Sequence, residues 1–274
     1  MRDAVARAGG LSFIREGQTV LPKPAVNSAL PYPPTAAPEV VLVVAKLVQD
    51  AGGKPFIADR TVFSKSTALT FHTLGYDEAA HQAGISCQAL DHATVMSLSH
   101  PLATHWSDGA APVYEPVATA DHIINFCTPR THRLGHFTMA LKNFVGVVHS
   151  GARLGTHLPS GFREWLAEIN LVVGPSLAVM DGREGFVDGG PDSGDLAKFD
   201  FLAVGADPVA IDAVGLAHLR IAGADDTIQQ TSPWQLPVMK RAVELGLGAQ
   251  SLADLSFVGA TAEHEAAVRA QLAA

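Results

Sequence analysis

The chain has 274 residues, of which 47% are hydrophobic and 17% charged, so it can bury a large core. A formal net charge of −8 without any Lys/Arg run argues against a nucleic-acid partner. No apolar run reaches the roughly 18 residues that a membrane helix needs, and the opening residues lack the apolar stretch of a signal peptide. We therefore expect a cytoplasmic protein without a membrane partner.

Segments with the pattern of strands alternate along the chain with segments that have the pattern of helices. Strands are predicted over residues 19–23, 55–58, 85–90, 112–117, 121–126, 177–181, 201–205 and 255–259. Helices are predicted over residues 38–52, 77–83, 138–144, 161–173, 208–219, 233–245 and 262–272, with a loop over residues 97–109. This alternation favours an α/β fold with a mostly parallel sheet flanked by helices. We expect one unit over residues 1–274, with two lobes around a central cleft.

Two cysteines, Cys87 and Cys127, lie far apart in the sequence and form no CxxC motif. An iron–sulfur cluster or a cysteine zinc site is therefore not expected, and both residues are predicted to be buried thiols.

A histidine-rich segment, residues 129–157, follows a predicted buried strand and contains His132, His136, His149 and His157. Neutral imidazole is the commonest metal ligand and the best acid or base near neutral pH. His132 and His136 stand four apart, which on a helix places both within reach of one metal ion. The segment predicts a divalent transition metal (Ni, Fe or Zn) bound by at least two of the four. The alternative is that some of them are surface or core histidines.

Lys142 lies in the same segment, within the apolar sequence ALKNFVGVV. Desolvation there would lower the pKa of the amine and make it a base or nucleophile. The alternative is a lysine whose stem packs while its head reaches water. Asn143 could orient a substrate or cap a turn. We expect Lys142, His132 and Asn143 to be catalytic, with a histidine as base and Lys142 or the metal holding the developing negative charge.

A proline-rich loop follows the first predicted strand and contains Lys23, Asn27 and Thr35. Loops at the carboxyl ends of parallel strands carry ligands, so these residues are predicted to bind an anionic substrate. The alternative is a loop that its prolines make rigid. Asp212 joins these candidates, because it lies between apolar neighbours of a helix that Asp207 is well suited to cap.

Residues 181–195, DGREGFVDGGPDSGD, combine four aspartates with five glycines. Mg²⁺ and Ca²⁺ prefer such oxygen ligands, but the spacing is not that of an EF-hand. The alternative is a hairpin-like turn in which glycines supply positive φ.

Five segments span nearly the whole chain: LPKP…PPTAAPEVV, ADHIINF, THRLGHFTMALKNFVGVV…H, MDG…GGPDSG and GADPVAIDA. Together they resemble the family catalogued as domain of unknown function 362. Members are often joined to ferredoxin-like iron–sulfur modules, whose cluster cysteines this chain lacks. The resemblance implies a fold rather than a named reaction.

The histidine-rich segment is also similar in layout to nickel-dependent lactate racemase. In that family a histidine precedes a lysine that anchors a nickel pincer cofactor, and another histidine follows. His132, Lys142 and His157 are spaced 10 and 15 apart here, and residues 139–141 read MAL where the racemase has paired glycines. The similarity implies a nickel pincer cofactor at Lys142.

These observations favour a metal-dependent enzyme that moves a proton or hydride at a carbon next to a carboxylate or carbonyl, as in a racemase, isomerase or lyase. The alternative is a non-catalytic metal- or cofactor-binding protein that serves a redox partner. A hydrolase is not supported, because the chain has no G-x-S-x-G elbow. The expected partner is a small anionic substrate, and a homodimer is left open.

Overall fold

The computed structural model describes residues 1–62, 65–106, 109–156 and 161–274. Its helices are α1 (Arg2–Arg7), α2 (Pro38–Asp50), α3 (Thr67–Leu74), α4 (Tyr76–Gln82), α5 (Glu115–Ala118), α6 (Ala140–Asn143), α7 (Ser150–Thr156), α8 (Phe162–Val172), α9 (Pro208–Ile221), α10 (Asp226–Gln230), α11 (Pro237–Glu244) and α12 (Ala262–Ala273). Its strands are β1 (Thr19–Lys23), β2 (Lys54–Asp59), β3 (Ser86–Ala89), β4 (Val95–Ser99), β5 (Ala110–Tyr114), β6 (His122–Cys127), β7 (Arg130–His132), β8 (His136–Thr138), β9 (Leu177–Asp188) and β10 (Asp195–Gly205).

A six-stranded sheet in the order β10-β9-β6-β1-β2-β3 forms the centre of the fold. Five of its strands are parallel, and β10 pairs with β9 in the antiparallel direction. Strand order reverses between β1 and β6, because the chain first builds β2 and β3 on one side of β1 and then returns to the other. In sheets of this kind, ligands bind at the carboxyl ends of the strands beside such a reversal.

Both faces of the sheet are covered by packed helices. Successive strand residues point to opposite faces, so Val20 packs with α2 in one core cluster while Leu21 packs with α8 and α9 in the other. The predicted α/β fold, with a mostly parallel sheet flanked by helices, is therefore confirmed. The two-lobed arrangement remains a prediction.

Several local predictions were wrong for identifiable reasons. Residues 255–259 form no strand, and β4 occupies the start of the predicted loop over residues 97–109. The strand predicted over residues 112–117 ends at Tyr114, because Glu115 and Pro116 begin α5.

The aspartate- and glycine-rich segment, residues 181–195, covers the second half of β9 and the turn that leads into β10. Gly189 and Gly194 adopt φ values of 71° and 134°, as the turn interpretation requires. Within β9, a Cβ at Gly185 would overlap the carbonyl oxygen of Pro129. These glycines therefore permit a tight turn and a close backbone contact, in agreement with the turn interpretation.

Two further sequence predictions can be compared with the structure. Both cysteines are free thiols, with Cys127 buried and Cys87 half-buried. Within the described ranges, the structure contains no helix with the length and apolar character needed to cross a membrane.

Candidate active site

A cavity of about 390 Å³ opens at the carboxyl ends of β1, β2 and β6, beside the point where strand order reverses. Its wall comes from the segments that follow these three strands, from the residues around α6 and from the β9–β10 turn. Lys142, His132, Asn143 and Asn27 all contribute to this wall. The cavity thus brings together four of the residues that the sequence singled out.

Lys142 projects from the short helix α6 and is half-buried. Its stem lies beside Gly135, where an added Cβ would stand 3.4 Å from Lys142 Cδ. Within the described part of the chain, the ammonium makes no hydrogen bond or ion pair. Burial lowers the pKa of Lys142 to about 7, and the nearby Arg130 guanidinium acts in the same direction. Near neutral pH, a large fraction of this amine is therefore unprotonated and able to accept a proton.

His132 faces the same cavity from the end of β7. Its Nδ1 accepts hydrogen bonds from the backbone N–H groups of Leu134 (3.2 Å) and Gly135 (3.0 Å). In the neutral ring the proton consequently lies on Nε2. This arrangement suits His132 to donate a proton or hydrogen bond, whereas the sequence suggested a base. It also differs from that of a usual metal-bound histidine, whose second nitrogen donates rather than accepts.

The other predicted metal ligands lie apart from the cavity or outside the described residues. His136 stands opposite His132 across the β7–β8 hairpin, so their four-residue spacing is not helical, and its φ is 66°. His149 is exposed, with its ring edge-on to Tyr114 at 6.0 Å. His157 lies outside the described residues. Within those residues, no group of three or more His, Cys, Asp or Glu side chains could hold a metal.

The metal prediction can be tested by element analysis of protein purified from its own host. The sequence argument expects single alanine changes at His132, His136, His149 and His157 to lower the metal content together. The exposed His81 provides a matched control, since its removal should leave metal content unchanged. Unchanged stoichiometry in all four variants would contradict the prediction.

Lys23, predicted to bind substrate, is completely buried beneath the cavity. Its Nζ lies 3.0 Å from Asp59 Oδ1, 3.1 Å from Asn143 Oδ1 and 2.7 Å from the carbonyl oxygen of Pro24. These contacts use all three donor positions of the ammonium. Burial lowers the pKa of Lys23, while Asp59 acts to raise it. The structure therefore gives Lys23 a supporting role, in contrast to the prediction.

Asn143 connects this buried pair to the sheet. Its Oδ1 accepts from Lys23, and its Nδ2 donates to Asn125 Oδ1 (2.6 Å) and to the carbonyl oxygen of Phe126 (2.9 Å). Lys23 and Asn125 are register partners on β1 and β6. The network fixes the end of α6, and with it Lys142, relative to the strand ends.

Gly146 makes room for the Lys23–Asp59 pair. A Cβ at this position would overlap Asp59 Oδ1 and lie 3.2 Å from Lys23 Nζ. We expect Gly146→Ala to lower the free energy of unfolding by about 1 to 3 kcal/mol, because the pair must move. Urea unfolding measures this cost. The matched control is Gly174→Ala, whose Cβ would meet only an ordinary 3.5 Å contact; equal effects of the two changes would contradict the argument.

Of the other three predicted substrate-binding residues, one lines the cavity and two are buried. Asn27 lines the cavity, and its Nδ2 donates to Asp192 Oδ1 (2.8 Å). Thr35 is buried and donates to the carbonyl oxygen of Leu30 (2.8 Å). Asp212 is also buried and accepts from the backbone N–H groups of Ala140 (2.7 Å) and Leu141 (3.0 Å).

The contacts of Asp212 place it behind the site. It holds the first turn of α6, so it positions Lys142 from the side opposite the cavity. Burial raises the pKa of Asp212 to about 7, although the two amide hydrogen bonds act to lower it. Neither Thr35 nor Asp212 belongs to the described wall of the cavity, so the structure does not support the prediction that they bind substrate.

Three arginines lie in the wall, Arg60, Arg130 and Arg153, and the sequence interpretation missed the last two. Arg130 is 4% exposed and donates from Nη1 to the carbonyl oxygens of Pro34 and Pro191. Its buried Nε has no hydrogen-bond partner among the described residues. Burial lowers the pKa of Arg130 to about 10. Arg130 lies three residues beyond the end of β6, and such a position after a parallel strand is a sequence signal for ligand binding.

The cavity is positively charged within a protein of net charge −8. Its wall carries the three arginines, and Lys142 in its protonated form, against two carboxylates, those of Asp59 and Asp192. Lys23 compensates the charge of Asp59 from below. A concave site with an excess of one charge attracts ligands of the opposite sign. The arrangement therefore favours a small anion.

Comparison with known sequences and structures identifies the class of protein. The sequence model of the family described as "Domain of unknown function (DUF362)" matches residues 20–217, and the chain belongs to this family. The chain is 30% identical over 268 residues to a thylakoid-associated protein from Synechocystis sp., a match that covers 94% of this chain and 77% of that protein. The predicted family membership is thus confirmed.

The fold is similar to that of the lactate racemase apoprotein from Thermoanaerobacterium thermosaccharolyticum. The TM-score is 0.51 at 11% sequence identity, and the match covers 80% of this chain but 55% of the racemase chain. This chain thus spans about half of that structure, and the likeness is one of fold.

Proposed function

We propose that this protein is an enzyme that moves a proton at a carbon next to the carboxylate or carbonyl group of a small anionic substrate, in the manner of a racemase, isomerase or lyase. The observation that carries the proposal is the position of Lys142, an amine with a pKa of about 7 inside a cationic cavity. A general base works best when its pKa lies near the pH at which it operates.

The positive charge of Arg130 in the cavity wall would bind the substrate anion. The Arg130 guanidinium lies close enough to Lys142 to lower the pKa of the amine, so an anion held by Arg130 would lie near that amine. Planar guanidinium groups bind carboxylates with two parallel hydrogen bonds. Arg130 is therefore assigned to the substrate carboxylate, with Asn27 as a second polar contact on the wall.

The proton step uses Lys142 and His132. The unprotonated amine of Lys142 takes the proton from the carbon, and the electron pair moves onto the adjacent oxygen. The Nε2–H of His132 donates to that oxygen as negative charge develops on it. Return of the proton from Lys142 to the same or a neighbouring carbon completes the reaction. Hydride movement would need a cofactor as acceptor, because side chains do not accept hydride.

The fit of a metal or nickel pincer cofactor is incomplete in the described residues. Two of the three residues in the racemase-like layout, His132 and Lys142, share the cavity, and this supports the layout. The Nδ1 of His132 already accepts two backbone hydrogen bonds, so the described wall offers no imidazole in the usual metal-binding arrangement. The proposed reaction steps therefore use no metal or pincer cofactor. Whether the protein binds a metal is tested by the measurement of metal content in the histidine variants.

Deuterium exchange in D₂O tests the proposal. Incubation with 2-hydroxy, 2-oxo and 2-amino carboxylates, followed by proton NMR, should show loss of the hydrogen next to the carboxylate or carbonyl of the true substrate. Because the pKa of Lys142 lies at about 7, kcat/KM should rise about tenfold per pH unit below that value and level off above it. The base form is the neutral amine, so activity increases with pH.

Arg130→Gln is the companion variant in this experiment. It removes the guanidinium and should raise KM more than it lowers kcat, because it removes binding common to substrate and transition state. Circular dichroism of both optical forms would show whether exchange also racemises the substrate. If no carboxylate exchanges while metal is retained stoichiometrically, the non-catalytic cofactor-binding alternative gains support and the enzyme proposal fails.

A further inference from the structure

A pair of histidines outside the cavity connects the two helices α9 and α12. Nε2 of His218 on α9 lies 3.2 Å from Nε2 of His264 on α12. The two ring centroids are 5.0 Å apart. His218 is buried and His264 half-buried, so the pair can be reached from solvent on the α12 side.

The surroundings of His218 fix which nitrogen carries its proton. Nδ1 lies 2.8 Å from the carbonyl oxygen of Val214, which can only accept, so Nδ1 is the protonated nitrogen. Nε2 therefore presents its lone pair toward His264. The Phe201 ring stacks on the His218 ring at 3.7 Å, and burial lowers the pKa of His218 to about 4. The ring is neutral at physiological pH.

We propose that His218 and His264 form a two-imidazole site for a divalent metal ion that prefers tetrahedral geometry, with Zn²⁺ as the type case. Zinc–nitrogen bonds are about 2.0 to 2.1 Å long. With such bonds, a separation of 3.2 Å between the two Nε2 atoms corresponds to an N–Zn–N angle of about 103°. This angle is close to tetrahedral. When the metal binds, the single proton of neutral His264 moves from Nε2 to Nδ1, so that both Nε2 atoms offer a lone pair to the metal.

The hydrogen bond from His218 Nδ1 to a backbone carbonyl is the outer-shell contact that orients metal-bound histidines. His132 has the opposite arrangement, with Nδ1 as acceptor. The described residues add no third His, Cys, Asp or Glu ligand to the pair. Water or a ligand from outside therefore completes the coordination, and the site binds metal more weakly than a four-ligand structural site.

Occupation of the site would fasten the C-terminal helix to the core. The α9 helix that contains His218 also contains Asp212, which holds the first turn of α6 behind Lys142. A metal that binds the folded chain and not the unfolded one raises the melting temperature. The role is thus structural, and it is independent of the function proposed for the cavity.

Zn²⁺ titration of the chelator-treated full chain by calorimetry tests the site, together with the visible spectrum of Co²⁺, whose absorption reports tetrahedral coordination. We expect one equivalent to bind, with tetrahedral Co²⁺ bands and a higher melting temperature. His264→Gln should weaken Zn²⁺ binding by about tenfold or more and remove the bands. His264 is half-buried, so this variant should fold; circular dichroism checks that it does.

Two control variants separate this site from other histidines. His132→Ala removes the imidazole of the cavity, and His81→Ala removes an exposed histidine; both should retain the Zn²⁺ equivalent and the Co²⁺ bands. Absence of stoichiometric binding, or equal binding by His264→Gln and the parent, would overturn the proposal and leave a hydrogen-bonded histidine pair. Loss of the equivalent in His132→Ala alone would assign the metal to the cavity.

Discussion

Lys142→Met should lower turnover of the substrate found by deuterium exchange by about 10²- to 10⁴-fold, the usual contribution of a general base. The variant should melt near the parent temperature. Methionine retains the apolar stem beside Gly135, so the packing loss should be on the order of 1 kcal/mol. The amine has no partner among the described residues, so its removal leaves no buried charge behind. Steady-state kinetics and thermal unfolding of the same preparation give both numbers.

Two further variants make the result specific. Lys142→Arg keeps the positive charge but cannot act as a base near neutral pH, so it should also be inactive. Lys198→Met makes the same chemical change at an exposed lysine of β10 and should be fully active. Full activity of Lys142→Met would instead indicate that the ammonium of Lys142 only contacts solvent and takes no part in the reaction. A collapse in stability would indicate an ion-pair partner that the described residues do not contain.

The parts of this structure that the sequence predicted well depend on local patterns. Apolar runs located β1, β6 and the central helices, and Asp207 caps α9 through hydrogen bonds from the N–H groups of Val209 and Ala210, as its place before Pro208 indicates. The rule that loops after parallel strands carry ligands indicated Asn27, and the clustering of polar residues after a predicted buried strand indicated Lys142; both line the cavity. Such inferences need no knowledge of distant partners.

The structure gives several of the predicted site residues other surroundings, which the sequence does not show. Lys23 was assigned to substrate because the sequence does not show that Asp59 lies 3.0 Å from it. Asp212 had no apparent structural role because its two amide donors belong to a helix about 70 residues earlier. The spacing of His132 and His136 would place both on one face only in a helix, whereas the structure has them opposite each other in a hairpin. Burial and pairing in three dimensions decide these roles.

Asp59→Asn should destabilise the protein more than either Lys142→Met or Gly146→Ala. Asp59 is 2% exposed, and its carboxylate receives Lys23 Nζ at 3.0 Å together with the backbone N–H groups of Val26 and Arg60. Removing one partner of a buried ion pair leaves an uncompensated charge, at a cost of about 3 to 5 kcal/mol. Urea unfolding monitored by circular dichroism measures the loss in the free energy of unfolding.

The double variant Lys23→Met with Asp59→Asn distinguishes a lost pair from lost hydrogen bonding. It removes both charges, so it should be more stable than Asp59→Asn alone, because replacing a whole buried pair is often neutral. Asp50→Asn provides the exposed comparison. Asp50 pairs at the surface with Lys46 at 3.1 Å and with Arg2 at 3.6 Å, and such pairs contribute at most about 1 kcal/mol each. If Asp59→Asn costs no more than Asp50→Asn, Lys23 is neutral in the folded protein and the network beneath the cavity holds Asn143 and α6 without an ion pair.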